Sequence, residues 1–165
     1  MRSSVHARPS VGRFPSVRTT LLPVILLVCL LPACEDDSVA PNPDAHFRAK
    51  QVWKLAGVHD YDFTQRRDCY CVLGGREVRL EVRGDSLRSG ILMADSSALS
   101  KELLQSYCTV DSLFSYIEMA RAANPASLVV EYDSLLGYPR RISVDFSVNV
   151  ADDEFIYWSS DLKTR

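Results

Sequence analysis

The amino-acid sequence predicts an α+β domain in which two helices pack on a mainly antiparallel sheet, in the order α-β-β-β-α-β-β-β. Two observations carry that expectation. Apolar residues recur at three-to-four spacing in two stretches, and each stretch is followed by segments in which apolar and polar residues alternate. Alternation implies strands with one wet face, the habit of antiparallel sheets, and glycine-bearing turns separate those strands.

The first helical stretch is PDAHFRAKQVWKLAG, with Asp44 as its candidate N-cap, Ala45, Ala49, Val52, Trp53 and Ala56 on one face, and Gly57 as its stop. In DYDFTQRRDCYCVL the period drops to two, with Tyr61 and Phe63 alternating with acids and Thr64. Gly74 and Gly75 make the next turn, and REVRLEV sets Val78, Leu80 and Val82 against charged neighbours. RGDS is a second turn, and LRSGILMAD is a third strand interrupted at Gly90.

The pattern then restarts. TVDSLFSYIEMARAAN is capped by Thr109 or Asp111, repeats at Leu113, Phe114, Ile117 and Ala120, and ends at Asn124 and Pro125. SLVVEYD, RRISVDFSVNV and EFIYWSSDL follow as alternating strands, with LLGYP as the turn before the second. Trp53, Tyr61, Phe63, Phe114, Tyr132 and Phe146 are the expected aromatic core.

The domain is expected to occupy residues 45–165, behind a targeting segment at 1–33 and a tether at 34–44. Arg2, Arg8, Arg13 and Arg18 precede an uncharged run of 14 residues, Leu21 to Cys34. A run of that length is short of the roughly 20 helical residues that span a hydrocarbon core. It ends in LPAC, Leu31 to Cys34, which resembles a bacterial lipobox. That resemblance implies cleavage before Cys34, acylation of its thiol, and a lipid anchor made stable by several chains. The segment that follows, CEDDSVAPNPD, has little to bury and reads as an acidic, proline-containing spacer.

Cleavage before Cys34 leaves 15 basic against 21 acidic residues, a net charge of minus 6. An acidic chain disfavours nucleic acid as a partner, and equally a broad electrostatic hold on an anionic bilayer. The expected partners are therefore the membrane, through the N-terminal lipid, and an envelope protein or small ligand. No cofactor is expected. The chain shows no nucleophile elbow, phosphate-binding glycine loop or HExxH helix, so no catalytic residue is assigned.

Three cysteines remain beyond Cys34, and export favours their oxidation. Cys69 and Cys71 share a face of an extended strand, where their Cα atoms would lie about 6.6 to 6.8 Å apart, the outer limit of disulfide geometry. The expected bridge therefore joins Cys108 to Cys71, or to Cys69, with Cys71 favoured. The spare thiol is a small core residue, a thiol-exchange group, or, as a Cys69–Cys71 pair, a Cu(I) site. Zinc is poorly provided for, since His46 and His59 stand far from the cysteines in sequence. Asp152, Asp153 and Glu154, with Asp145 a strand earlier, form either a solvated turn or an ion- or ligand-binding loop.

In order along the chain, Trp53, DYDF at Asp60–Phe63, CYC at Cys69–Cys71, SLF at Ser112–Phe114, EYDSLLGYPRRISVD at Glu131–Asp145 and DDE at Asp152–Glu154 resemble the bacterial exported family DUF6174. The resemblance runs from about Phe47 to Leu162 and is most specific in the YD…GYP…I…D segment. It implies a fold and an exported location but no activity. The function expected is that of a lipid-anchored, non-enzymatic binding module of the cell envelope, with a thiol-redox or copper protein centred on Cys69 and Cys71 as the alternative.

Overall fold

The structure, a computed structural model, describes residues 42–150 and 154–165. Cys34, the segment before it, most of the tether, Asp152 and Asp153 lie outside the described residues. The chain runs α1 (Pro43–Ala56), β1 (Tyr61–Asp68), β2 (Glu77–Arg83), β3 (Ser86–Leu92), α2 (Lys101–Leu104), α3 (Val110–Ala122), β4 (Ser127–Tyr132), β5 (Pro139–Asp145) and β6 (Phe155–Thr164). The strands form one six-stranded sheet in the order β3-β2-β1-β6-β5-β4, with every neighbouring pair antiparallel.

The α+β expectation holds, with one element more than the sequence predicts. The added α2 is a single turn, capped by the Ser100 side chain accepting from the Leu103 amide. Gly90 explains why it fits. A Cβ at that position would press on Leu80, Leu99 and Leu104, so glycine lets α2 and its approach lie close to β3. Gly90 is thus a packing position within the strand rather than an interruption of it.

Helix α1 starts on Asn42, not Asp44: the Asn42 side chain accepts from the Asp44 amide at 2.9 Å, with Pro43 in the first turn. The helix therefore begins inside the segment expected to be tether. Its other end is Gly57 at φ 59°, whose amide bonds the Lys54 carbonyl.

Two adjoining cores follow from the alternation. Ala49 and Trp53 of α1 pack with Tyr61, Phe63, Val78, Leu80 and Val82, together with Tyr107, Val110 and Phe114. Leu113, Ile117 and Ala120 of α3 pack with Leu128, Ile142, Val144 and Tyr157. Helix α3 contributes to both because its apolar stripe is broad. Tyr61 ties sheet to helix a second way, its hydroxyl accepting from the Val110 amide at 2.9 Å. Of the six aromatics expected inside, Tyr132 is half-buried and Phe146 is 39% exposed. Phe146 leaves the core because β5 stops at Asp145, whose carboxylate accepts from the Ser147 amide and turns the chain out of the sheet.

The GYP turn has a structural reason. Asp133 accepts the amides of Leu135 and Leu136 on its carboxylate, and its carbonyl accepts from the Gly137 amide. Gly137 stands at φ 75°, where a Cβ would come to 2.4 Å from the Ala49 carbonyl oxygen. The loop before β5 is thereby fitted against the backbone of α1.

Candidate functional site

Antiparallel pairing brings the end of β1, the starts of β2 and β6, and the ends of β3 and β5 to one edge of the fold. The segments 69–76, 93–98 and 146–150 therefore leave the sheet at the same end. The hairpin between β1 and β2 carries the cysteines. Strand β1 ends at Asp68, one residue before Cys69, so the pair does not occupy extended backbone. The Cys71 amide bonds the Cys69 carbonyl at 2.9 Å, a two-residue curl that brings the Cα atoms to 5.3 Å, and the two sulfurs are joined to each other.

This corrects the expected Cys71–Cys108 or Cys69–Cys108 bridge. The extended spacing that argued against direct closure is absent, and Cys108 keeps a free thiol. Joined in this way, the pair offers no thiolate to Cu(I), which removes the ligands that the copper alternative needs.

Glycine permits the curl. A Cβ on Gly74 would lie 2.4 Å from the Cys69 carbonyl oxygen, while the Gly74 amide bonds the Cys71 carbonyl. Below the hairpin Arg67 is buried, although it sits in a strand that reads as half polar. Its guanidinium donates through Nη1 to the Ser106 carbonyl and through Nη2 to the Val72 carbonyl, both at 2.9 Å, and lies 4.2 Å from the Tyr107 ring centroid. The Gly75 amide returns a bond to the Arg67 carbonyl at 2.7 Å. One side chain thus fixes the far half of the loop to the connection between α2 and α3.

Cys108 is held beside this framework and away from reactivity. Its main chain is clamped by Gln65, whose Nε2 donates to the Cys108 carbonyl at 3.3 Å and whose Oε1 accepts from the Cys108 amide at 3.1 Å. Its sulfur faces the Tyr157 hydroxyl at 3.7 Å, and burial pushes the thiol pKa up. Cys71, by contrast, is exposed.

The ring closed by Cys69 and Cys71 spans three residues, for which chain-closure entropy gives only about 1.6 kcal/mol of stabilisation. A Cys71–Cys108 bridge, closing 38 residues, would give about 3.9 kcal/mol on the same scale. As a staple the observed bridge is the weaker choice.

The same end of the sheet exposes apolar side chains on its loops: Tyr70 at 96% and Val148 at 80%, and also Val72, Met93, Phe146 and Val150. Glu154, from the expected acidic loop, is exposed just before β6. Two open clefts, of about 260 and 460 Å³, flank the Gly57–Asp60 loop at the opposite end. They hold His59 paired with Asp85, Nδ1 to Oδ2 2.8 Å.

The charges of the second sheet face largely satisfy one another. Arg66 and Arg141 lie 5.1 and 5.2 Å from the Trp158 ring centroid, and Asp68 accepts from both Arg66 and Trp158. Asp62 pairs with Arg83 and Arg165. Burial raises the Asp62 pKa, but those two guanidinium groups outweigh it and hold the carboxyl below its ordinary value.

His46 is the buried titratable group of the helical side. Its Nδ1 lies 2.9 Å from the Tyr132 hydroxyl and its Nε2 3.3 Å from Glu118, which also pairs with Lys50. Burial lowers its pKa, the Glu118 hydrogen bond opposes that shift, and Arg121 adds to it. The folded state therefore binds fewer protons than the unfolded state below the ordinary histidine pKa of about 6.5. Its contribution is complete above that pH and declines as pH falls toward the lowered folded value. Denaturant midpoints between pH 7.5 and 5 should fall on acidification, and His46→Gln should flatten that slope.

These features define a class: an antiparallel-sheet domain with helical cover whose first hairpin carries a Cys-x-Cys bridge exposed at its second cysteine. The chain belongs to the Family of unknown function (DUF6174), whose model matches residues 47–164. No curated protein and no solved structure matches it significantly. The matched span takes in the cysteine hairpin, the clamp residues Gln65 and Arg67, and the Asp133–Pro139 turn.

Proposed function

We propose that the protein is a lipid-anchored domain of the bacterial cell envelope that works as a binding module, holding apolar polypeptide segments at the loop end of its sheet. The observation that carries this reading is the gathering of exposed Tyr70, Val72, Met93, Phe146, Val148 and Val150 on three loops of one end. Exposed apolar surface collected on loops marks interaction sites far more than scattered single residues do. The lipobox at Cys34 supplies the anchor, and the acidic balance of the exported part disfavours nucleic acid.

One experiment with two arms tests it. Full-length protein should sediment with membranes, and Cys34→Ala should release it; unchanged sedimentation of the variant sinks the anchor. Full-length protein should also bind an unfolded polypeptide whose thiols have been alkylated. A Tyr70→Ser, Val148→Asp double variant should weaken that binding at least tenfold. A control pair, Leu55→Asp with Leu135→Asp, alters the similarly exposed apolar residues of α1 and the loop before β5. Equal losses in both pairs, or no binding at all, overturn the loop-end assignment.

A further inference from the structure

The geometry points to Cys69–Cys71 as a thiol–disulfide exchange site for polypeptides that carry two thiols among apolar residues. This inference rests on the loop-end reading for its substrate class and on the hairpin for its chemistry. Three observations converge on it. The bridge closes a ring of three residues, too small to serve well as a staple, so its presence calls for another use. It stands where a thiol can approach, with Cys71 exposed and Tyr70 projecting fully between the cysteines. Its frame is nonetheless fixed, since Arg67 holds the Val72 carbonyl, Gly75 bonds the Arg67 carbonyl and Gly74 bonds the Cys71 carbonyl. Exchange needs access to a sulfur in a defined position, and this hairpin supplies both.

The step balances without a cofactor. A substrate thiolate attacks the Cys71 sulfur; the Cys69–Cys71 bond breaks, and its electron pair leaves on Cys69 as a thiolate. The guanidinium of Arg67, bonded to the residue after Cys71, places positive charge under the loop in which that thiolate forms. The second substrate thiolate then attacks the substrate sulfur of the mixed disulfide. The substrate's disulfide forms, Cys71 departs as a thiolate, and two electrons have passed from substrate to protein. Restoring the bridge takes a second disulfide compound, such as a low-molecular-weight disulfide. The free thiol of Cys108 stays outside this cycle, its pKa raised by burial and its sulfur turned to Tyr157.

The test uses oxidised full-length protein and two dithiol peptides, one with apolar and one with polar residues around its cysteines. Single-turnover oxidation should yield one peptide disulfide per chain, at least tenfold faster for the apolar peptide. Afterwards Cys69 and Cys71, but not Cys108, should have changed from blocked to alkylatable in peptide mapping of the unaltered protein. Cys71→Ser should abolish the reaction and Cys108→Ser should leave it intact. Because peptide mapping reads the unaltered chain, a variant that fails to fold does not decide the outcome. Absence of peptide oxidation above the air control, or equal oxidation by Cys71→Ser, overturns the exchange site. If thiol-blocked polypeptide still binds in that case, the loop-end reading survives alone. Equal oxidation of both peptides overturns the apolar substrate class, and with it the link to the loop end.

Discussion

Gly137→Ala is expected to cost on the order of 3 kcal/mol or more of folding stability, because two penalties coincide at one position. Alanine at φ 75° sits in the left-handed region, worth about 1 to 2 kcal/mol by itself. The added Cβ must also meet the Ala49 carbonyl oxygen at 2.4 Å and the Val52 Cβ at 3.1 Å. The oxygen belongs to the middle of α1, so it cannot step aside without disturbing the helix or lifting the loop off it. Gly75 separates the two effects. It has a similar φ of 74° and nothing within 4 Å of the Cβ position, so Gly75→Ala should lose only the backbone part. Denaturant unfolding of the two variants measures the difference directly. Equal losses would mean that the loop moves away from α1 at little cost.

That contrast also shows what the most recognisable segment of the chain does. LLGYP reads in the sequence as the turn before a strand, and that strand does start at Pro139. The sequence does not reveal that the turn is seated on a helix more than 80 residues earlier. A glycine requirement set by a positive φ can be guessed from turn chemistry. One set by the approach of a distant carbonyl is visible only after folding.

The helical and strand periods were legible because each apolar residue answers to a neighbour of the same element type. Val78, Leu80 and Val82 all enter the core, as the alternation predicts. The same rule fails on β1 in an instructive way. Tyr61 and Phe63 point inward, and the next residues in phase are Gln65 and Arg67. Both are polar and both are buried, so the inward face continues. What changes is its cover, which passes from side chains to the main chain of the α2–α3 connection. A polar backbone needs polar partners, and Gln65 and Arg67 provide them. The signal was the unbroken period of two, with the residue type changing to match. The cysteine hairpin was misread for a related reason: extended spacing was carried past Asp68, where the Gly74–Gly75 turn already folds the chain back on Cys69. The single turn of α2 was too short to show a period at all.

Gln65 is the position where this reading has its second large consequence. It is fully buried, and its amide meets both main-chain groups of Cys108. Gln65→Leu keeps the volume roughly and removes both partners, leaving an amide hydrogen and a carbonyl unpaired at about 1 to 3 kcal/mol each. The expected loss is roughly 2 to 6 kcal/mol on that basis, larger than a surface strand position could produce. Gln65→Glu makes the argument sharper. A protonated glutamic acid has one donor and one acceptor oxygen and can copy the amide, whereas the carboxylate has no donor for the Cys108 carbonyl and carries a buried charge. Burial should raise the folded pKa of that glutamate above its unfolded value of about 4.3. The variant's stability should therefore approach that of the unaltered protein below the unfolded pKa and be lost as pH rises through the folded one. Denaturation of Gln65→Glu at pH 4 and pH 8, referenced to the unaltered protein at each pH, measures this directly. A deficit independent of pH would show that the Gln65 side chain does not grip Cys108 from both sides. The framework that keeps Cys108 apart from the exposed bridge would then need another anchor.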